Sequence, residues 1–202
     1  MRDADRKLVA KVLSGDERAV REFSERVHAD IFSLLMWLTR DPDTAENLTQ
    51  ESFARIWERL SQFRGDSNLR TWTHKIAYSL LLSHRRDTTR ESRLLCEYAS
   101  ATEHNSADAA ERAAMRLTLA AALGQLPDEQ ARVVVLCKLQ GLTLAEAARI
   151  VSEPVGTLAW RLAEAMRKLR ELLGEESASQ SRSAPARHSR MRRDCHAMPD
   201  RE

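Results

Sequence analysis

The stretch Gly141–Leu173, GLTLAEAARIVSEPVGTLAWRLAEAMRKLRELL, decides the fold. Thr143 is followed three residues later by Glu146, the spacing of a capping box, in which hydroxyl and carboxylate each satisfy a backbone donor at a helix start. The short helix predicted there carries Ala145, Ala147 and Ala148, small enough for a second helix to cross closely. Ser152-Glu153-Pro154 makes a turn, and helical spacing resumes from about Val155 to Leu173. Two helices joined by a tight turn form a helix-turn-helix, which can set its second helix into a DNA major groove.

The same period runs upstream. Helices are predicted over Ala109–Leu126 and Glu129–Leu139, split at Pro127-Asp128. Nearer the N-terminus, Leu8, Val9, Val12 and Leu13 begin a helix that breaks at Ser14-Gly15-Asp16, where Ser14 or Asp16 caps the next. That helix carries Ala19, Val20, Phe23, Val27, Ile31, Leu34, Leu35 and Leu38 on one broad face. Asp41-Pro42-Asp43 ends it and starts a third helix to about Leu60, since proline is tolerated in a first turn. Phe63–Asn68 reads as a loop, and a fourth helix runs from about Leu69 to Arg86, ending in His84-Arg85-Arg86. Cations at a helix C-terminus also suit the helix dipole. Residues 88–110 are polar and poor in large apolar groups and are expected to form a flexible linker. The Ser- and Arg-rich tail, 175–202, is expected to be disordered.

Composition agrees. Six Gly and five Pro in 202 residues, with 5% aromatics, are too few for the reversals and pleated surfaces of a strand-rich fold. The expectation is all-α, with a helical domain at 5–87 and a second at 111–174. No apolar run approaches the ~20 residues that span a bilayer. The N-terminus lacks the apolar block of a secretory signal. Three scattered cysteines, with no CxxC pair, exclude a disulfide framework. A soluble, cytoplasmic protein with no membrane insertion is expected. The net charge of +2 is spread evenly, with fifteen basic and fourteen acidic residues in 1–87 and eight and six in 116–174. Any nucleic acid must therefore be held by local patches or with help.

Two helical blocks, a polar linker and a C-terminal helix-turn-helix at this size resemble the extracytoplasmic-function group of sigma factors in the bacterial sigma-70 family. Three motifs carry the resemblance. AENLTQESFARIWERLSQF at 45–63 is similar to the region 2 helix that docks on core RNA polymerase. LRTWTHKIAYSLLLSHRR at 69–86 is similar to the helix that recognises and melts the −10 element. LPDEQARVVVLCKLQGLTLAEAARIVSEPVGTLAWRL at 126–162 is similar to the region 4 helix-turn-helix that reads the −35 element. The resemblance implies polymerase contacts through Asn47, Leu48, Gln50, Glu51, Phe53, Ile56 and Trp57. It implies −10 contacts through Trp72, His74, Lys75, Ser79, Arg85 and Arg86, where aromatic groups stack on bases and basic groups hold phosphates. It implies −35 contacts through Thr143, Val155, Gly156, Thr157, Trp160, Arg161, Arg167 and Lys168. An anti-sigma protein is the implied regulatory partner.

Departures from the family pattern bear on these roles. Asn47 replaces an Asp in the docking helix, and Ser79 replaces an Asn that would present a donor and an acceptor to a base edge. In region 4 the positions commonly Lys, Ser, Arg and Arg are Ala159, Trp160, Glu164 and Met166. A turn glycine is Ser152, costing about 1 kcal/mol if a left-handed backbone is needed. Binding at −35 is accordingly expected to be weak or unusual, with affinity supplied chiefly by the polymerase. Trp160 has three possible placements: packed under its helix, against thymine methyl groups, or against a partner protein. For Trp72, burial in the bundle and base contact both fit.

The rival readings are a helix-turn-helix regulator working without polymerase and a sigma-like protein acting mainly through protein contacts. No glycine-rich phosphate loop, HExxH spacing or nucleophile elbow supports an enzyme. No cofactor or metal is expected; His188, Cys195 and His196 lack a second cysteine pair.

Overall fold

The computed structural model describes residues 2–91 and 107–182, all of whose regular structure is helical. In chain order the helices are α1 (Arg2–Leu13), α2 (Glu17–Thr39), α3 (Pro42–Arg59), a 3-10 turn at Leu60–Gln62 and α4 (Leu69–Glu91), then α5 (Ala107–Gly124), α6 (Asp128–Val134), a π-helical turn at Val135–Leu139, α7 (Leu144–Val151) and α8 (Val155–Arg182). Helix α4 runs five residues past the predicted Arg86, and α5 begins inside the expected linker. Helix α8 runs past the predicted Leu173 to Arg182. The remaining linker residues, 92–106, and the tail from 183 lie outside the described residues.

Side chains decide the helix ends. The Asp16 carboxylate accepts from the backbone N–H of Arg18 at 3.0 Å and Ala19 at 3.1 Å, so Asp16 rather than Ser14 is the cap of α2. Asp41 accepts from Thr44 N–H at 2.9 Å, with Pro42 in the first turn of α3. Bonding to Thr44 holds the Asp41 carboxyl below its usual range. The predicted helix to Leu139 instead turns π-helical after Val134, and Gln140 N–H donates to Val135 C=O at 2.8 Å. Gly141 then turns the chain with φ +64°.

Phe23, Val27, Ile31, Leu34, Leu35 and Leu38 of α2 are buried against Leu48 and Ile56 of α3 and Ala77 and Leu81 of α4. Leu123, Val133, Val134, Leu136, Ala147, Ile150, Leu158, Ala165 and Leu169 form the corresponding interior of the second half. The two halves pack directly, chiefly through α4 against α7 and α2 against the π-helical turn.

Candidate nucleic-acid and polymerase interface

The helical period divides α4 into two faces. Trp72, Lys75, Ser79, Leu82 and Arg86 recur at three- and four-residue spacing and share one side. Lys75, Ser79, Leu82 and Arg86 are exposed, and Arg86 donates to Ser83 Oγ at 3.1 Å. Trp72 is half-buried, its ring edge-on to Phe63 at 5.5 Å, so it is both bundle anchor and accessible surface. This side combines an aromatic ring with two cations, the groups that hold an unpaired strand.

His74 and Arg85 lie on the other side with Arg70 and Tyr78. His74 is fully buried beside Arg70 of its own helix, Asp30 of α2 and Gln140 just after the π-helical turn, and neither imidazole nitrogen has a hydrogen bond of good geometry. Burial, reinforced by the Arg70 charge, lowers its pKa to about 4. Arg85 donates to Asp128 of α6 at 2.9 Å and to Leu38 C=O at 2.8 Å. In this arrangement neither side chain faces the open side of α4. Residue type pointed to both, but their angular position on the helix separates them from Lys75 and Arg86.

On α3, Asn47, Gln50 and Glu51 are exposed on one side, and Gln50 donates to Glu46 at 3.1 Å. Phe53 and Trp57 form the rim: Trp57 meets Phe23 edge-on at 5.4 Å and Phe53 at 6.0 Å, and Phe53 meets His28 at 6.2 Å. Leu48 and Ile56 point into the core, so their contribution to any docking surface is to hold the rim in place.

The helix-turn-helix forms as the capping pattern predicts. Thr143 Oγ1 accepts from Glu146 N–H at 3.3 Å and Glu146 accepts from Thr143 N–H at 2.9 Å. The bond from Thr143 N–H, with those from the Thr143 hydroxyl and Asn68, holds the Glu146 carboxyl below its usual range. Ser152 adopts φ 60°, ψ 41°, so the turn does require a left-handed residue. At the entry to α8, Val155 and Gly156 are exposed and Thr157 is half-exposed, its N–H bonded back to Pro154 C=O at 3.1 Å. Trp160 is 67% exposed, which removes the placement under the helix.

The cations of α8 are largely engaged within the chain. Arg161, with a side chain 16% exposed, pairs with Glu129 of α6 at 2.6 Å and with Glu153. Glu153 also receives Arg132 at 2.7 Å, and Arg132 donates to the Tyr78 hydroxyl at 2.8 Å. Arg167 is exposed but bridges Glu164 at 2.6 Å and Glu171 at 2.7 Å. Lys168 is half-exposed on the same helix.

The polar contacts joining the two halves were not legible in the sequence. Arg70 donates to Gln140 C=O at 2.5 Å and to its side-chain oxygen at 2.9 Å, while pairing with Asp30 at 3.3 Å. Gln140 donates to Ser33 Oγ at 3.1 Å, Asn68 donates to Glu146, and Arg40 donates to Leu123 C=O at 3.0 Å. The only sequence signal was a polar Gln140 at the end of an apolar run.

Two family models match the chain in order, sigma-70 region 2 over residues 23–91 and sigma-70 region 4 over 122–171. The chain is 29% identical over 171 residues to the RNA polymerase sigma-H factor of Pseudomonas aeruginosa, covering 79% of this chain and 89% of that one. It is 30% identical over 178 residues to the ECF RNA polymerase sigma factor SigE of Mycolicibacterium smegmatis, covering 85% and 69%. Its fold is similar to that of the sigma factor RpoE of Bartonella quintana, solved in complex with the anti-sigma factor NepR, with a TM-score of 0.65, 24% identity, and coverage of 77% and 96%. With region 2 and region 4 matched in order and a named ECF relative 30% identical over more than two thirds of its length, the chain belongs to the ECF sigma factors of the sigma-70 family.

Proposed function

We propose that this chain binds core RNA polymerase and directs promoter-specific initiation, acting by binding and strand separation rather than by catalysis, in the cytoplasm. One observation carries the reading: α4 presents Trp72, Lys75, Ser79 and Arg86 on an open face, and a capped helix-turn-helix follows in the same chain. The first is suited to an unpaired strand and the second to a duplex. No described helix is long and apolar enough to cross a membrane.

Asn47, Gln50 and Glu51, with the Phe53–Trp57 rim, serve as the polymerase-docking surface in this reading. The arrangement with α7 against α4 is a resting one, because Arg85 is paired and His74 is buried between the halves. A regulatory protein that holds the two regions together is the partner we infer; the similar Bartonella sigma factor was solved in complex with an anti-sigma factor. A DNA-binding regulator that works alone is the second reading, favoured by the internal pairing of Arg161 and Arg167.

Core binding separates the two. Fluorescently labelled chain is expected to bind purified core polymerase and to lose that binding when Asn47, Gln50 and Glu51 are all changed to Ala, three exposed positions whose truncation leaves the fold intact. Absence of core binding by the wild-type chain would favour the autonomous regulator.

A further inference from the structure

The first turns of α8 have an open face made of Gly156, Ala159, Trp160 and Ala163, at three- and four-residue spacing, with Val155 at the helix tip. Its chemistry is unusual for a helix that reads DNA. Trp160 is 67% exposed and Val155 46%, and no cation stands on this face before Arg167. Arg161, its neighbour in sequence, points away to Glu129 and Glu153. Glu164, beside the face, is held by Arg167. A side chain on a helix leans toward the N-terminal turn, so the indole stands toward Gly156. Gly156 itself has an ordinary helical backbone, and a Cβ built there would meet nothing within 4 Å. The chain's own packing therefore gives no reason for the poorest helix former after proline at this position. What the glycine does leave is room at the helix tip beside the indole.

In the major groove only thymine offers an apolar group, its C5-methyl, and it sits next to an acceptor, O4. An indole has an apolar edge and one N–H donor and no acceptor. Bidentate guanine readout by arginine has no free side chain on this face. From this match we infer that Trp160 is a specificity-determining residue that reads thymine methyl groups in the −35 duplex, with Gly156 leaving space for the approaching strand. The inference rests on the reading that region 4 of this chain contacts the −35 element.

The test uses holoenzyme assembled from core polymerase and the full chain, transcribing a promoter library randomised over the −35 window. The selected sequence is then rebuilt with each thymine replaced singly by deoxyuridine, which removes only the methyl group. The expectation is that thymines are selected and that at least one replacement lowers promoter binding about four- to tenfold. That loss should vanish in Trp160→Ala and survive in Trp160→Phe, which keeps an apolar ring. If selection favours particular bases but deoxyuridine is tolerated at every position, or its cost is the same in Trp160→Ala, the inference is overturned. A reduced core affinity of Trp160→Ala with unchanged deoxyuridine sensitivity would likewise overturn it in favour of a protein contact. If no −35 sequence is selected at all, the underlying reading of region 4 fails instead.

Discussion

Acidification from pH 8 to pH 5 should destabilise this protein chiefly through His74. Its imidazole is buried where α4, α2 and the π-helical turn meet, facing Arg70, Asp30 and Gln140, and its pKa falls from the ordinary 6.5 to about 4. Burial is the main cause and the Arg70 guanidinium adds to it; the Asp30 carboxylate opposes both. A histidine neutral in the fold but readily protonated when the chain unfolds makes the unfolded state the better proton binder between those two values. The sign follows: this contribution is intact above about pH 6.5, is lost as pH falls toward 4, and changes no further below that. Linkage gives a loss of about 2 kcal/mol on going from pH 8 to pH 5, and about 3 by pH 4.

Other groups titrate in the acid range as well. The Asp41 and Glu146 carboxyls, both held low, lose stabilisation there too. Urea unfolding followed by circular dichroism at pH 8, 7, 6 and 5 for wild type and His74→Leu removes that background, since those groups are common to both proteins. The stability lost between pH 8 and pH 5 should be smaller in the variant by about 2 kcal/mol, whatever its stability at pH 8. Parallel pH dependences for the two proteins would refute the placement of a neutral, unpaired His74 between the halves.

Further outcomes follow from the helix-turn-helix. Ser152→Gly should raise stability by about 1 kcal/mol in urea unfolding, because Ser152 holds a left-handed backbone that glycine adopts without strain. Thr143→Ala should lower stability by about 1 kcal/mol in the same assay, through loss of the capping box. Glu153→Gln leaves Arg132 and Arg161 without their shared carboxylate and should cost about 2 kcal/mol, seen as a lowered unfolding midpoint. Arg161→Ala should change the slope of log promoter affinity against log salt by well under one unit, since that guanidinium is already paired within the chain; a change of about one unit would mean it holds a phosphate.

The sequence specified the helices because their punctuation is local. Asp16, Asp41, Thr143 with Glu146, and the Ser152 turn each act within three residues of where they stand, and each appears in the structure at its predicted task. The distribution of residue types over faces was less legible. His74 and Lys75 are adjacent in sequence, and a reading by chemical type placed both on DNA. One step of about 100° sends one to the interior and leaves the other in solvent. Leu48 and Ile56 show the same effect on α3. Least legible were contacts across long sequence separations. Arg70 with Gln140 and Arg85 with Asp128 join the two halves, and no local pattern marks an arginine as destined for a distant carbonyl rather than a phosphate. The π-helical turn was missed for a related reason. Its periodicity differs from an α-helix over only five residues, and it sets Gln140 between Ser33 and Arg70.

The near-neutral charge takes its meaning from these pairings. Arginines that looked available for DNA are partly committed to glutamates within the chain, so the exposed cations Lys75 and Arg86 and the aromatic rims matter more than the total. In the proposed reading the chain depends on the polymerase for much of its hold on the promoter, as counterion release from so few phosphates would give little affinity on its own.

Run-off transcription tests the central claim most directly. Purified core polymerase, with and without the full chain, is given genomic fragments from the source bacterium, and the transcripts are mapped to their starts. The account predicts discrete products from a small set of start sites only when the chain is present, weakened by Lys75→Ala and Arg86→Ala and abolished by the Asn47, Gln50 and Glu51 triple substitution. A chain that binds core polymerase yet yields no promoter-specific product on any fragment would contradict it.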